Sequence, residues 1–190
     1  MNRLLMLSDR ERWNTKFIAG EAQSTEPDPL LVEACSPLPA GAALDLAGGA
    51  GRHAIWLAQH EWIVTLTDGS DEGLAIATRR SAEAGVTLTF RRESAEQTIA
   101  WAAQDPGVRF DLIVVFWFLI REHFAALPGM LNPAGRLVYK TYTSDHVRFT
   151  EGHSLRYALA PGELRAAFPC LETVLSRESD GVAELVASAR

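Results

Sequence analysis

Residues 44–54, LDLAGGAGRHA, set a carboxylate, Asp45, ahead of glycines 48, 49 and 51 and an arginine–histidine pair behind them. Glycine lacks the Cβ that would hold backbone N–H groups away from a ligand, so such a loop can cradle a nucleotide. A helix starting near Arg52 would aim the positive end of its dipole at the same place. Gly49-x-Gly51-x-x-Ala54 also satisfies the dinucleotide pattern G-x-G-x-x-G/A. Asp68 closes an apolar, β-rich run, where a carboxylate can accept hydrogen bonds from both hydroxyls of a ribose.

Asp45 separates the ligands this loop would serve. A dinucleotide brings a pyrophosphate, which a carboxylate beside the loop repels. S-adenosylmethionine has no phosphate; it carries a sulfonium and an α-ammonium, and Asp45 would stabilise that cationic end, partly through the loop. Neither a Tyr-x-x-x-Lys pair nor a Gly-Lys-Ser/Thr triplet occurs, which argues against a hydride-transfer site and a P-loop.

The elements that must position these residues alternate. Residues 8–19 read as a polar helix with Trp13, Phe17 and Ile18 near one face, and 30–35 as a short helix among prolines. Strands are expected at 42–46, 62–67, 86–90, 111–118 and 136–141. Helical stretches are expected at 52–60 (Ile55, Leu57 and Ala58 inward), 70–84, 95–102 and 121–130. Ser70 or Asp71 can cap the start of the 70–84 helix, and Gly85 can take the left-handed position at its end. The apolar run 111–118 suits a central strand covered on both faces. Asn132-Pro-Ala-Gly135 reads as a turn, 143–160 as polar loop, 161–168 as a helix with proline at its start, and 172–188 as a hairpin around Ser179-Asp-Gly181. This order predicts an α/β, Rossmann-like three-layer α/β/α sandwich, its sheet mostly parallel and seven-stranded with an antiparallel C-terminal hairpin.

The chain has 190 residues, which suits one domain, 1–190, with 1–40 as an N-terminal helical cap. A net charge of -6 argues against a nucleic-acid partner, since phosphate binding needs a basic face. Cys35 and Cys170 make neither a disulfide framework nor a zinc site, and no metal-ligand spacing is present. The apolar run at the N-terminus is too short for a signal peptide, and no stretch approaches the ~20 apolar residues of a membrane span. A cytoplasmic protein without membrane association, monomeric or homodimeric, is expected.

Asp45-Leu-Ala-Gly-Gly-Ala-Gly51 resembles the motif I loop of class I S-adenosylmethionine-dependent methyltransferases, usually Asp-x-Gly-Cys/Gly-Gly-x-Gly. Asp68-Gly-Ser resembles the acidic end of their second strand, and Phe110-Asp-Leu-Ile-Val-Val-Phe116 their fourth. Leu127-Pro-Gly-Met-Leu-Asn-Pro-Ala-Gly135-Arg-Leu-Val resembles the approach to their fifth. Arg10-Glu-Arg-Trp13-Asn-x-Lys-Phe17 and Pro161-Gly-Glu-Leu164 are similar to segments of small bacterial methyltransferases of the tellurite-resistance type. Departures are Ala47 for the first glycine, Asn14 for an aspartate, Ala134 for a glycine, Lys140 for a glutamate, and Glu93-Ser94-Ala95 where an aspartate often meets the adenine amine.

The resemblance implies S-adenosylmethionine as cofactor and a small-molecule methyl acceptor. It implies cofactor contacts at Trp13, Asp45, Ala47, Gly48, Gly49, Gly51, Asp68, Gly69, Ser94, Ala95 and Phe116. Phe17 would close over the cofactor with Trp13, and either Phe116 or Trp117, beside the sulfonium, would stack on the adenine or border the methyl group. Tyr139, Lys140, Tyr142, His146 and His153 lie at or beyond the end of the fifth strand, near the expected acceptor; His146, His153 and Tyr142 are the candidates for a catalytic role. A neutral imidazole can take a proton near neutral pH. Two other functions fit the same residues: binding of the same cofactor without transfer, and NAD-linked oxidoreduction.

Overall fold

The computed structural model describes residues 8–21, 24–150 and 154–190. Ser8 opens α1 (Asp9–Ile18) with a capping box, its hydroxyl meeting the Glu11 N–H while the Glu11 carboxylate returns to the Ser8 N–H. Phe17 is buried on this helix and Trp13 half-buried, but Ile18 is 72% exposed. Four residues return a side chain to the same face, whereas five overshoot it, so Ile18 does not share the stripe. Asp28 caps α2 (Pro29–Cys35), which buries Leu30 and Leu31 completely.

β1 (Ala42–Leu46), α3 (Arg52–Gln59), β2 (Ile63–Asp68), α4 (Asp71–Glu83), β3 (Thr89–Arg92), α5 (Ala95–Gln104) and β4 (Phe110–Phe116) follow in strict alternation. A 3₁₀ segment, Arg121–Met130, leads into β5 (Leu131–Tyr142). The chain then forms α6 (Val147–Thr150), a 3₁₀ turn at Leu155–Tyr157, α7 (Glu163–Ala166), β6 (Glu172–Ser179) and β7 (Val182–Ser188). The seven strands lie in the order β3-β2-β1-β4-β5-β7-β6, with β7 antiparallel to both neighbours. Strand order reverses between β1 and β4, which opens a crevice at their carboxyl ends. β4 is buried on both faces. Ile113 and Val115 enter the core shared with α5 and the long 3₁₀ segment; Leu112, Val114 and Phe116 enter the core shared with α2, α3 and α4.

Four local expectations are corrected. β3 pairs from Thr89, not Val86, because the exit of α4 uses the residues before it: Gly85 takes φ +68° and the Val86 N–H returns to the Ser81 carbonyl. The 132–135 turn becomes a bulge inside β5, where the register jumps from Phe110↔Leu131 to Leu112↔Arg136. The helix expected at 161–168 shrinks to α7, because Gly162 at its start has φ +79° and cannot belong to it. The loop at 143–160 contains α6 and a 3₁₀ turn. The hairpin turn at Asp180–Gly181 has φ above zero at both residues, as a tight two-residue connection between twisted strands requires.

Candidate functional site

The 47–51 loop leaves the end of β1 on the crevice. Asp45 is buried beneath it, and the Ala54 N–H donates to its Oδ2 at 3.1 Å. Burial raises its pKa to about 7, with the nearby Asp68 carboxylate adding to the effect against the Ala54 hydrogen bond. Its influence on a ligand therefore passes through the loop backbone. Gly49 (φ +56°) and Gly51 (φ +76°) supply the left-handed turns, and a Cβ on Gly51 would lie 2.9 Å from that of Ala77 on α4. Ala47 is held at φ +57°, a region that disfavours any side chain.

Asp68, at the end of β2, ties the loop to the next strand. Its Oδ2 accepts from the Gly49 N–H at 2.8 Å and its Oδ1 from the Ser70 N–H at 2.7 Å. Burial raises its pKa against both hydrogen bonds. Gly69 follows, with no atom near the position of a Cβ. Ser94 stands beside this corner, since the Glu93 N–H donates to the Asp68 carbonyl. The Ser94 hydroxyl accepts from the Gln97 N–H as the cap of α5, and Ala95 is buried behind it. Glu93 is gripped by Arg91 at 2.6 and 2.9 Å and by the Thr98 hydroxyl at 3.0 Å.

α1 spans the crevice above these residues. Phe17 wedges over Gly49 and Gly73, either of which would bring a Cβ within 2.9 Å of its ring. Trp13 packs on Phe17 with 5.9 Å between centroids and carries the Lys16 ammonium over its ring. Asn14 Oδ1 accepts from the Ser70 hydroxyl at 2.6 Å and from the Glu72 N–H at 3.3 Å. The helix's other side reaches past β5: Arg12 and Asp9 both meet the Tyr157 hydroxyl, and Arg156 pairs with Asp9 at 3.6 Å.

At the ends of β4 and β5, Phe116 is buried against the ring of His53, 4.2 Å between centroids. Trp117 has φ +59°; its N–H donates to the Lys140 carbonyl, and its ring lies 4.6 Å from that of Tyr142. Tyr142 also contacts the His146 ring. The Lys140 ammonium is engaged by Asp28 at 3.0 Å and Glu184 at 2.7 Å, and Glu184 in turn takes Arg177. Burial opposes the Lys140 charge, but the hydrogen bonds to Glu184 and Asp28 outweigh it and raise its pKa. Tyr139 is a core residue: wholly buried, it donates to the Phe118 carbonyl at 2.8 Å. His153 lies outside the described residues.

The stretch that holds the loop, Asp68 and the strand reversal is also matched by sequence: residues 43–141 match the methyltransferase domain family. The chain belongs to that family. No curated protein sequence matches it. Solved methyltransferases share its fold. TehB from Haemophilus influenzae superposes with a TM-score of 0.74 at 16% identity, over 93% of this chain and 67% of its own. N-methyltransferase NodS from Bradyrhizobium japonicum WM9, in complex with S-adenosyl-l-homocysteine, gives 0.70 at 18% identity, over 95% and 97%. Magnesium protoporphyrin IX methyltransferase from Synechocystis PCC 6803, with bound SAM, gives 0.65 at 15% identity, over the whole of both chains.

Within this methyltransferase-domain chain, the motif-bearing positions Asp45, Ala47, Gly48, Gly49, Gly51, Asp68 and Gly69 gather at one corner, with Ser94 and Ala95 beside it. Phe116, Trp117 and Tyr142 gather across the crevice with Lys140. His53, Asp28, Glu184 and Tyr157 were missed. Only the place of His53 behind the glycines marks it in the sequence; the others depend on partners more than 40 residues away.

Proposed function

We propose that the protein is an S-adenosylmethionine-dependent methyltransferase acting on a small-molecule acceptor, with 1–190 as one such domain and 1–40 as its helical cap. The observation that carries this reading is the loop corner: glycines at positive φ beside a carboxylate that already grips the Gly49 N–H. The residues fit the group. Asp68 would hold the ribose hydroxyls, Ser94 and Ala95 would bound the adenine, and Trp13 would cover the nucleoside from α1. Asp45 would act on the cationic end through the loop.

When bound, S-adenosylmethionine would supply an activated methyl group for in-line transfer to an acceptor lone pair, the carbon–sulfur bonding pair staying with sulfur and any acceptor proton being released to bulk solvent with the products. The chain's contribution is then placement and exclusion of water. Phe116 and Trp117 border the reacting region; Tyr142 and His146 lie farther along the same wall. Lys140 is no base, because its ammonium is held between carboxylates.

The fold shared with N-methyltransferase NodS and magnesium protoporphyrin IX methyltransferase supports this reading. A second reading, binding without transfer, is favoured by Ala47, which strains the loop where glycine is usual. Calorimetry with S-adenosylmethionine, S-adenosylhomocysteine and NAD tests the proposal: both adenosyl ligands should bind and NAD should not. NAD binding alone overturns it. Adenosyl binding without label transfer to any of a broad panel of amines, phenols and thiols favours the second reading.

A further inference from the structure

We propose that His53 is a positioning residue for the methyl acceptor: its buried Nε2 accepts a hydrogen bond from the hydroxyl or amine of a neutral, planar acceptor lying along Phe116 and Trp117. The inference rests on the methyltransferase reading and names the acceptor class of that site.

His53 is only 4% exposed, and its Nε2 has no hydrogen-bond partner. Buried polar atoms are nearly always paired with protein, water or a ligand, so this orphan beside the Phe116 ring calls for a partner from outside the chain. The ring belongs to the first turn of α3, directly behind the glycine loop, and packs on Phe116 at the end of β4. Phe116 is the register partner of Lys140 on β5, so His53 packs on the sheet face that carries Lys140.

The charge pattern selects a neutral acceptor. Burial, with the Arg52 and Lys140 charges, lowers the His53 pKa to about 3 and leaves a neutral ring with a lone pair to offer. Among the described residues at the ends of β4 and β5, the Lys140 ammonium is already neutralised by Asp28 and Glu184, which disfavours an anionic acceptor. Arg52 lines a separate groove of α3 and α4 with Gln59, Arg80 and Glu83.

The wall selects a planar one. Phe116 is buried, whereas Trp117 and Tyr142 are partly exposed, so the aromatic surface runs from solvent toward His53. Trp117 keeps a bulky side chain at φ +59°, and strain of this kind collects at ligand clamps.

The test uses the full chain labelled with ¹⁵N-histidine, with and without S-adenosylhomocysteine, and phenol as the probe. The Nε2 resonance of His53 should be that of an unprotonated nitrogen at neutral pH. It should shift saturably with phenol and not with benzoate. His53→Leu should weaken phenol binding about threefold to tenfold, the range of one neutral hydrogen bond. His53→Gln should recover part of the loss, and both variants should bind S-adenosylhomocysteine as the wild type does. A protonated Nε2, no shift with phenol, or an equal response to benzoate overturns the inference. Should His53→Leu fail to fold, the wild-type spectra decide alone. Loss of S-adenosylhomocysteine binding in the wild type, with the phenol shift intact, overturns the methyltransferase reading instead.

Discussion

On the glycine-loop bank of the crevice, carboxylates meet backbone: Asp45 takes the N–H of Ala54, and Asp68 takes those of Gly49 and Ser70. On the β4–β5 bank, side chain meets side chain: Lys140 with Asp28 and Glu184, His53 with Phe116, Trp117 with Tyr142. The first bank is set by what the main chain must do. The second is set by which distant residues converge, and it is the bank to which the proposed acceptor is assigned. A methyltransferase-domain chain can thus keep its glycine corner recognisable while the facing bank is individual.

The comparison breaks first at Lys140. Lys140→Met leaves Asp28 and Glu184 without their shared cation, and removal of one member of a buried ion pair costs about 3 kcal/mol or more. Urea denaturation should show that loss, with partial recovery when Asp28→Asn and Glu184→Gln are added. A change below about 1 kcal/mol would mean that the bank does not depend on its ion pairs.

On the opposite bank, Asp68→Ala removes two charge-assisted hydrogen bonds and the proposed ribose contact. Two carboxylate bonds to the ribose hydroxyls at about 1.5 kcal/mol each would be lost, so calorimetry should show S-adenosylhomocysteine affinity falling about a hundredfold. Near-wild-type affinity would refute the ribose assignment.

A sharper contrast comes from pH. Burial raises the Asp45 pKa from 3.8 to about 7, so the folded state holds its proton more tightly and stability falls as pH climbs through that window. For His53 the pKa falls from 6.5 to about 3, so the folded state resists protonation and stability rises with pH through that window. The two slopes oppose each other near pH 5, each at most about 1.4 kcal/mol per pH unit. Asp45→Asn should therefore make stability climb more steeply with pH, and His53→Gln should make it decline. Parallel curves for the two variants would contradict the burial of one or both groups.

The smallest effect is a gain. Ala47 pays about 1–2 kcal/mol for its left-handed conformation, partly offset by the greater chain entropy that glycine would bring to the unfolded state. Ala47→Gly should stabilise the protein by up to about 1 kcal/mol in thermal unfolding. No gain would show that the loop has relaxed around the methyl group.

The sequence by itself determined the strand–helix alternation, the doubly buried β4, the glycine corner and the acid at the end of β2. These follow from short-range properties: side-chain periodicity, caps, and backbone angles that only certain residues tolerate. Even the misplaced boundaries, β3 and α7, failed locally, where Gly85 and Gly162 redirected the chain. Only the tertiary structure decided that Lys140 is bound between Asp28 and Glu184, that Tyr139 belongs to the core, and that His53 lies buried on Phe116. It also decided that α1 links the glycine corner to Tyr157 across the crevice. Those contacts join residues far apart in the chain, and whether two such side chains meet depends on strand order and register, which no short window of sequence contains.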